Sequence, residues 1–249
     1  MSITVKSATE IMSMRHAGKV VALVLKTLAR EIHAGMKTKE LDWIAAEEVR
    51  RQGAVASFKG YRGYPAHLCV SVNDEIVHGI PGERILKEGD LVSLDMGAYI
   101  NGFHADATVT LGIGEISKPA RKLLEVTREA LEAGIAAARS GARLGDISAA
   151  IQAHAENEGF SVVREYTGHG IGRDLHEDPQ VPNFGLPGQG PLLQKGMVLA
   201  LEPMINAGIW KTRLGGDGWV VHTADGSLSA HFEHTIAIGN GTAQILTID

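Results

Sequence analysis

Two stretches of this chain repeat one pattern, and a duplicated unit admits few folds. Residues 86–95 run from a turn glycine, Gly89, through an apolar strand to Asp95, and residues 193–202 do the same from Gly196 to Glu202. A second pair of blocks, 104–112 and 231–239, leads from a carboxylate, Asp106 or Glu233, into an apolar strand closed by glycine. The segments ahead of these strands repeat as well. Apolar residues recur at helical spacing over 11–32 and 123–138, and again over 41–49 and 147–154. Gly35, Gly53, Gly141 and Gly159 are placed to stop those helices. Each half therefore reads helix, helix, strands. Two such halves, about 5–114 and 115–245, facing each other across a pseudo-twofold axis make one α+β domain over residues 1–249. The Gly- and Pro-rich stretch 182–191 reads as a loop within it.

Composition matters here for what it excludes. The net charge of −5 offers no basic field for nucleic acid or an anionic membrane, so neither is expected as a partner. A lone cysteine, Cys69, precludes an internal disulfide framework and fits a reducing cytoplasm. The apolar run 20–25 is too short for a signal-peptide core or a membrane span.

Asp95 and Asp106 flank Asn101-Gly102, the strongest short hairpin signal. If those two residues form the loop, Ile100 pairs with Phe103 and Asp106 faces Gly97, on the same side of the strand as Asp95. The two aspartates become diagonal neighbours, about 7–8 Å apart at the backbone. Converging carboxylates repel unless a proton or a cation sits between them. By the repeat, Glu202 and Glu233 form the matching pair. One such pair reads as solvated edge charge; two pairs at equivalent positions, each beside an apolar strand, point to metal. His169, set among glycines in residues 167–172, is a candidate fifth ligand, although a glycine-flanked histidine is also a common turn residue. One imidazole with four carboxylates suits manganese, iron, cobalt or zinc, two divalent ions balancing the charge.

Eight segments carry a resemblance: YRGYP at 61–65, SVNDEIVHGIP at 71–81, LDM at 94–96, NGFHAD at 101–106, GHGIG at 168–172, HEDP at 176–179, LEPM at 201–204 and FEHT at 232–235. Together they resemble the pita-bread metallopeptidases and, among them, the type I methionine aminopeptidases. The resemblance implies a curved antiparallel sheet covered by helices in two pseudo-twofold halves. It implies that Asp95 chelates one ion, that Asp106 and Glu233 bridge both, and that His169 and Glu202 complete the second. His78 and His176 would line the substrate site. Tyr61, Tyr64, Cys69, Leu175 and Trp219 would wall a methionine pocket, with Phe58 nearby. Three positions depart from the family pattern: Leu175 stands where an aromatic is usual, His231 where glutamine is expected, and Phe58 in place of a smaller residue.

The implied chemistry is two-metal hydrolysis of the first peptide bond of N-terminal methionine peptides and nascent chains, with a small second residue. Glu202 would serve as general base and then acid. His176 and His78 would donate hydrogen bonds to the carbonyl and the oxyanion. Met1-Ser2 makes the chain a substrate of its own kind. A monomer in transient contact with the ribosome is expected, without a basic or zinc-binding N-terminal extension to dock it. Two other readings are an Xaa-Pro aminopeptidase or dipeptidase of the same fold, whose extra N-terminal domain has no room here, and a metal-free binding module, which would lack ligands. A helical insert of the type II enzymes has little room between His169 and Glu202. His104 shares the Asp95–Asp106 face and is a minor ligand candidate. Cys69 reads as a pocket thiol rather than a nucleophile. Gly112-Ile-Gly114 is half of a dinucleotide fingerprint, better read as a turn followed by an N-cap at Ser117 with Pro119 in the first turn.

Overall fold

The computed structural model describes residues 3–248. Four helices form where the apolar periodicity places them: α1 (Ala8–Glu31), α2 (Thr38–Arg51), α3 (Lys118–Ala137) and α4 (Leu144–Asn157). They begin three or more residues ahead of the periodic core, in first turns that carry capping hydrogen bonds. Ser7 Oγ accepts from the Glu10 N–H at 3.3 Å, while Glu10 Oε2 accepts from the Ser7 N–H at 2.9 Å, a reciprocal capping box. Ser117 Oγ accepts from the Ala120 N–H at 3.3 Å, with Pro119 in the first turn, so the Gly112–Gly114 segment is a turn into a capped helix, as expected. Gly53 and Gly159, at φ of 68° and 83°, follow the ends of α2 and α4 in the left-handed conformation that terminates helices. No helix among the described residues is long and apolar enough to cross a membrane.

The strands of the first half are β1 (Val55–Ala56), β2 (Cys69–Val72), β3 (Glu75–Val77), β4 (Leu91–Ile100) and β5 (Phe103–Gly112). Those of the second half are β6 (Ser161–Val162), β7 (Thr167–Gly170), β8 (Glu177–Pro182), β9 (Val198–Leu201), β10 (Met204–Asn206), β11 (Thr212–Leu214), β12 (Val221–Thr223), β13 (Ser229–His231), β14 (Glu233–Ala237) and β15 (Gln244–Ile245). The main sheet runs β1-β4-β5-β14-β9-β7-β8, with β2 paired to β4 and β15 to β14, all antiparallel. Its seam between the halves is β5 against β14, where Thr108 faces Glu233.

Each half covers one face of this sheet with its own helix pair. Val21, Val24 and Leu28 of α1 and Leu41 of α2 pack on Leu94 and Met96 of β4. Leu123 and Leu131 of α3 and Ile147 and Ile151 of α4 pack on Leu199, Leu201 and Ile236. Cutting a fully buried leucine such as Leu94 or Leu201 to alanine costs about 2–5 kcal/mol. Side chains alternate along a strand, so with Leu94 and Met96 turned to the helices, Asp95 points to the other face. The fold thus presents its carboxylates on the face its helices leave uncovered.

Candidate metal centre and substrate cavity

The β4–β5 ladder has the register that the Asn101-Gly102 turn demands. Asn101 and Gly102 both adopt positive φ, 55° and 82°, Ile100 pairs with Phe103, and Gly97 faces Asp106. Asp95 faces Thr108, one ladder step from Asp106 along the same face. The second pair is built differently from its counterpart. His234 faces Leu201, so Glu202 lies just past the end of β9 and Glu233 at the start of β14, directly across the ladder's end. The two-residue turn of the first half is replaced in the second by an excursion through β10, β11, β12 and β13, which is why the repeat conveys the pairing but not its geometry.

Asp106, His169 and Glu233, all buried, each offer a ligand atom, and these atoms lie within 4.8 Å of one another. His169 Nε2 is 3.5 Å from Asp106 Oδ2 and 3.6 Å from Glu202 Oε1. The ring is oriented by its other nitrogen, Nδ1, 2.9 Å from the Gly170 carbonyl, a contact that favours a proton on Nδ1 and leaves Nε2 facing the carboxylates as a candidate ligand atom. The glycines around His169 allow close backbone packing: a side chain on Gly170 would meet the Asp178 carbonyl oxygen at 2.2 Å. Two hydroxyls hold the carboxylates of Asp106 and Glu233. Thr108 donates to Glu233 Oε2 at 2.8 Å, and the Thr235 hydroxyl accepts from the Asp106 N–H at 3.1 Å and reaches Asp106 Oδ1 at 3.1 Å. Asp95 Oδ1 is buried and has no hydrogen-bond partner.

The electrostatics match a cation-binding centre. Burial, then the charge of Asp106, pushes Asp95 up to about 8. Burial raises Glu202 to about 8 despite the opposing pull of His169. Burial and three neighbouring carboxylates drive Glu233 well above the ordinary range. Burial opposes charge on His169 too, but Asp106 and Glu202 outweigh it and hold the imidazole at about 9. Asp106 also feels burial, and the facing His169 charge nonetheless keeps its carboxyl below the ordinary value. Such a cluster must carry protons at neutral pH, or exchange them for divalent cations. An orphaned buried carboxylate oxygen, an oriented imidazole and four convergent acids fit that second state.

A cavity of about 150 Å³ opens on this centre, well below the roughly 300–1,000 Å³ of a typical small-molecule cleft and suited to one side chain. All thirteen residues proposed for the site from sequence line it. Cys69 faces Asp95 across the β2–β4 ladder, which puts its buried sulfur beside the carboxylates; burial and the charge of Asp95 raise the thiol well above its usual range, so it is no nucleophile. Tyr64 is buried, donates to the Gly79 carbonyl at 2.9 Å, and meets Trp219 edge to face at 5.1 Å. Phe58 reaches the cavity over Gly97, where an added Cβ would sit 2.8 Å from its ring. His176 is exposed on its outer side while its inner face lies 4.1 Å from the His169 ring and stacks at 5.2 Å on Tyr61. Desolvation of that face, then the His169 charge, lowers it to about 4. His78, held at a positive φ of 62° and lowered by burial, meets Tyr166 edge to face.

His104 is not part of the cavity lining: its Nδ1 lies 2.8 Å from Ser57 Oγ and its ring packs on Tyr99. His234 points to the helix side and bonds Thr247 through Nδ1 at 2.8 Å. His231 is buried with Nε2 3.8 Å from Glu202 Oε2 and without a hydrogen-bond partner, next to the site but outside its lining. The sequence reading missed Arg62, which also lines the cavity, and the two orienting threonines. The positions of Thr108 and Thr235 on the same strand faces as the acids could have revealed the latter.

Residues 12–240 match the model of metallopeptidase family M24. Methionine aminopeptidase 1 of Bacillus subtilis is 54% identical over 98% of this chain and 99% of its own length. The crystal structure of methionine aminopeptidase from Thermotoga maritima superposes with a TM-score of 0.98 at 46% identity, covering 100% of both chains. The Xaa-Pro dipeptidase from Bacillus anthracis shares the fold at a TM-score of 0.78 and 22% identity, with 98% of this chain covering 62% of that one.

Proposed function

This chain belongs to metallopeptidase family M24, and from that membership and the geometry of its cavity we propose how it carries out the aminopeptidase reaction that removes N-terminal methionine. The observation that carries the reading is the buried convergence of Asp106, His169 and Glu233 at a cavity sized for one side chain. Divalent metal is used; the finer proposal is two ions, drawn from manganese, iron, cobalt or zinc, held by Asp95, Asp106, His169, Glu202 and Glu233. When bound, such ions acidify water toward neutrality and polarise the peptide carbonyl.

The protein's own groups do the rest. Glu202 is proposed to take a proton from water and return it to the leaving amine, its carboxylate form favoured by the His169 charge and by bound cations. His176 and His78, kept neutral by desolvation, donate hydrogen bonds without adding charge, at the carbonyl and at the oxygen that becomes negative. Tyr64, Cys69, Trp219, Leu175 and Phe58 surround an unbranched thioether with apolar and polarisable surface. The limited volume suits the one side chain of the cleaved residue, and a small second residue is proposed to follow. Nascent chains at the ribosome, met by a cytoplasmic monomer, complete the proposal.

Turnover of Met-Ala-Ser against a matched Xaa-Pro peptide, after chelation and re-addition of single divalent ions, tests it. Metal-dependent release of methionine is expected. Cleavage of the Xaa-Pro peptide in preference, or metal-independent turnover, would overturn it.

A further inference from the structure

We propose that Arg62 is a subsite for a carboxylate carried by the substrate beyond the cleaved bond, so that the enzyme favours chains with an acidic residue shortly after the second position. The proposal rests on the peptidase reading and deepens it. Among the described residues Arg62 is the one lysine or arginine lining the cavity, and it is exposed, which places it at the opening rather than the floor. No carboxylate pairs with it among the described residues, whereas Lys59 of the same loop is engaged by the Pro65 carbonyl.

The loop fixes this cation. Arg62 sits at φ 50° and ψ 21°, a left-handed conformation that costs an arginine on the order of 1 kcal/mol and marks a backbone held by its surroundings. Those surroundings are the hydrogen bonds of the Tyr61–Gly63 turn: Tyr61 N–H to the Phe58 carbonyl at 2.9 Å, Gly63 N–H to Gly60 at 3.1 Å, and Gly60 N–H to Tyr64 at 2.8 Å. The guanidinium lies 5.4 Å above the Tyr61 ring, Tyr61 stacks on His176, and His176 packs on His169. A continuous stack of planar groups thus runs from Arg62 at the opening to the metal centre. A cation on an aromatic face keeps its outward edge for a second partner, and guanidinium edges match carboxylates in two-pronged geometry. A methionine side chain in the cavity leaves the rest of the substrate to emerge through the opening, beside that edge.

The carboxylate has two sources, an acidic side chain or the end of a short peptide, and the test separates them. kcat/KM is measured at low and high salt for Met-Ala-Asp-Gly, Met-Ala-Gly-Asp, Met-Ala-Asn-Gly and Met-Ala-Lys-Gly, all as C-terminal amides, and for Met-Ala-Gly as free acid and amide. The wild-type enzyme should favour an aspartyl peptide over the asparaginyl one by roughly two- to five-fold at low salt, mostly through KM, and less at high salt. Arg62→Gln should bring the ratio to one, and Arg62→Glu should invert it in favour of lysine. Ratios within each variant cancel any loss of folded enzyme. A preference confined to the free tripeptide acid would overturn the side-chain subsite. So would a wild-type ratio of one for both aspartyl peptides, or an acid preference unchanged in Arg62→Glu. Failure to cleave any of these peptides would sink the peptidase reading itself, and this subsite with it.

Discussion

Lys6 Nζ lies 2.6 Å from Glu177 Oε2, and both side chains are nearly closed off from solvent, 6% and 12% exposed. The pair ties the start of the chain to the loop that carries Leu175 and His176. Glu177 Oε1 also accepts the Arg173 N–H at 2.9 Å, so one carboxylate anchors the loop from two sides. Removing one partner of a buried pair strands the other charge, and Lys6→Ala should destabilise the protein by about 3 kcal/mol. Burial raises the Glu177 carboxyl, but Lys6 and Thr4 outweigh it and hold it below its ordinary value. Its contribution is therefore present above about pH 4.3 and fades as pH falls through the depressed value. Denaturant titrations of wild type and Lys6→Ala should differ at pH 7 and converge in acid.

Asp95 and Glu202, each pushed up to about 8 by burial, make the metal-free protein pH-sensitive in the opposite sense. Their folded-state values exceed the unfolded ones, so the folded state retains protons that the unfolded chain gives up. Stability of the chelated protein should fall as pH rises from about 4 to about 9, the raised His169 extending the decline past 8. Saturating divalent metal should abolish most of that decline. Thermal melts across this range, with and without chelator, measure it, and calorimetry in buffers of different ionisation enthalpy should detect protons released on metal uptake at pH 7.

Thr108 and Thr235 touch the Glu233 and Asp106 carboxylates, which are proposed as ligands, and offer no ligand themselves. Thr108→Val and Thr235→Val should each weaken metal binding by about 10–100-fold, the usual effect of losing a partner that orients a ligand. Isothermal titration with manganese checks this, and an unchanged affinity in both variants would contradict it.

His231 carries little positive charge near neutral pH, because burial and then the nearby His78 lower it to about 3. Its Nε2 lies 3.8 Å from Glu202 Oε2, beyond hydrogen-bond reach, so what it offers Glu202 is a neutral polar neighbour. His231→Gln keeps a polar neighbour and should keep kcat within about threefold of wild type, while His231→Leu leaves the Glu202 carboxylate beside an apolar group and should lower kcat by about tenfold. Steady-state kinetics on Met-Ala-Ser distinguishes the two.

Glu202→Gln keeps the shape of the proposed base and removes its proton affinity. Turnover of Met-Ala-Ser should fall at least about a hundredfold, the lower end expected for general-base catalysis. Turnover above that level would reassign the base.

The helices and the first hairpin were legible because their determinants are local. Apolar spacing located α1 to α4, and Asn101-Gly102 alone set the ten-residue ladder that aligns Asp95 with Asp106. The relation of Glu202 to Glu233 was legible only as a pairing, because four short strands intervene and register there depends on tertiary packing. Arg62 escaped notice because an exposed arginine in a glycine-rich turn looks like any surface charge; its role as lining follows from Tyr61 and His176 stacking beneath it. The expected ligand set gathered at one cavity because both halves contribute strands to a single sheet.

That shared sheet has a consequence for how the enzyme comes into being. Thr108 is contributed by one half and Glu233 by the other, and they meet only where β5 and β14 zip together. A polypeptide still emerging during synthesis, with the earlier strands formed and the later ones unmade, holds Asp95 and Asp106 but neither the imidazole nor the two glutamates. Such a chain is chemically silent. The full set of five side chains exists only once the second half has docked on the first.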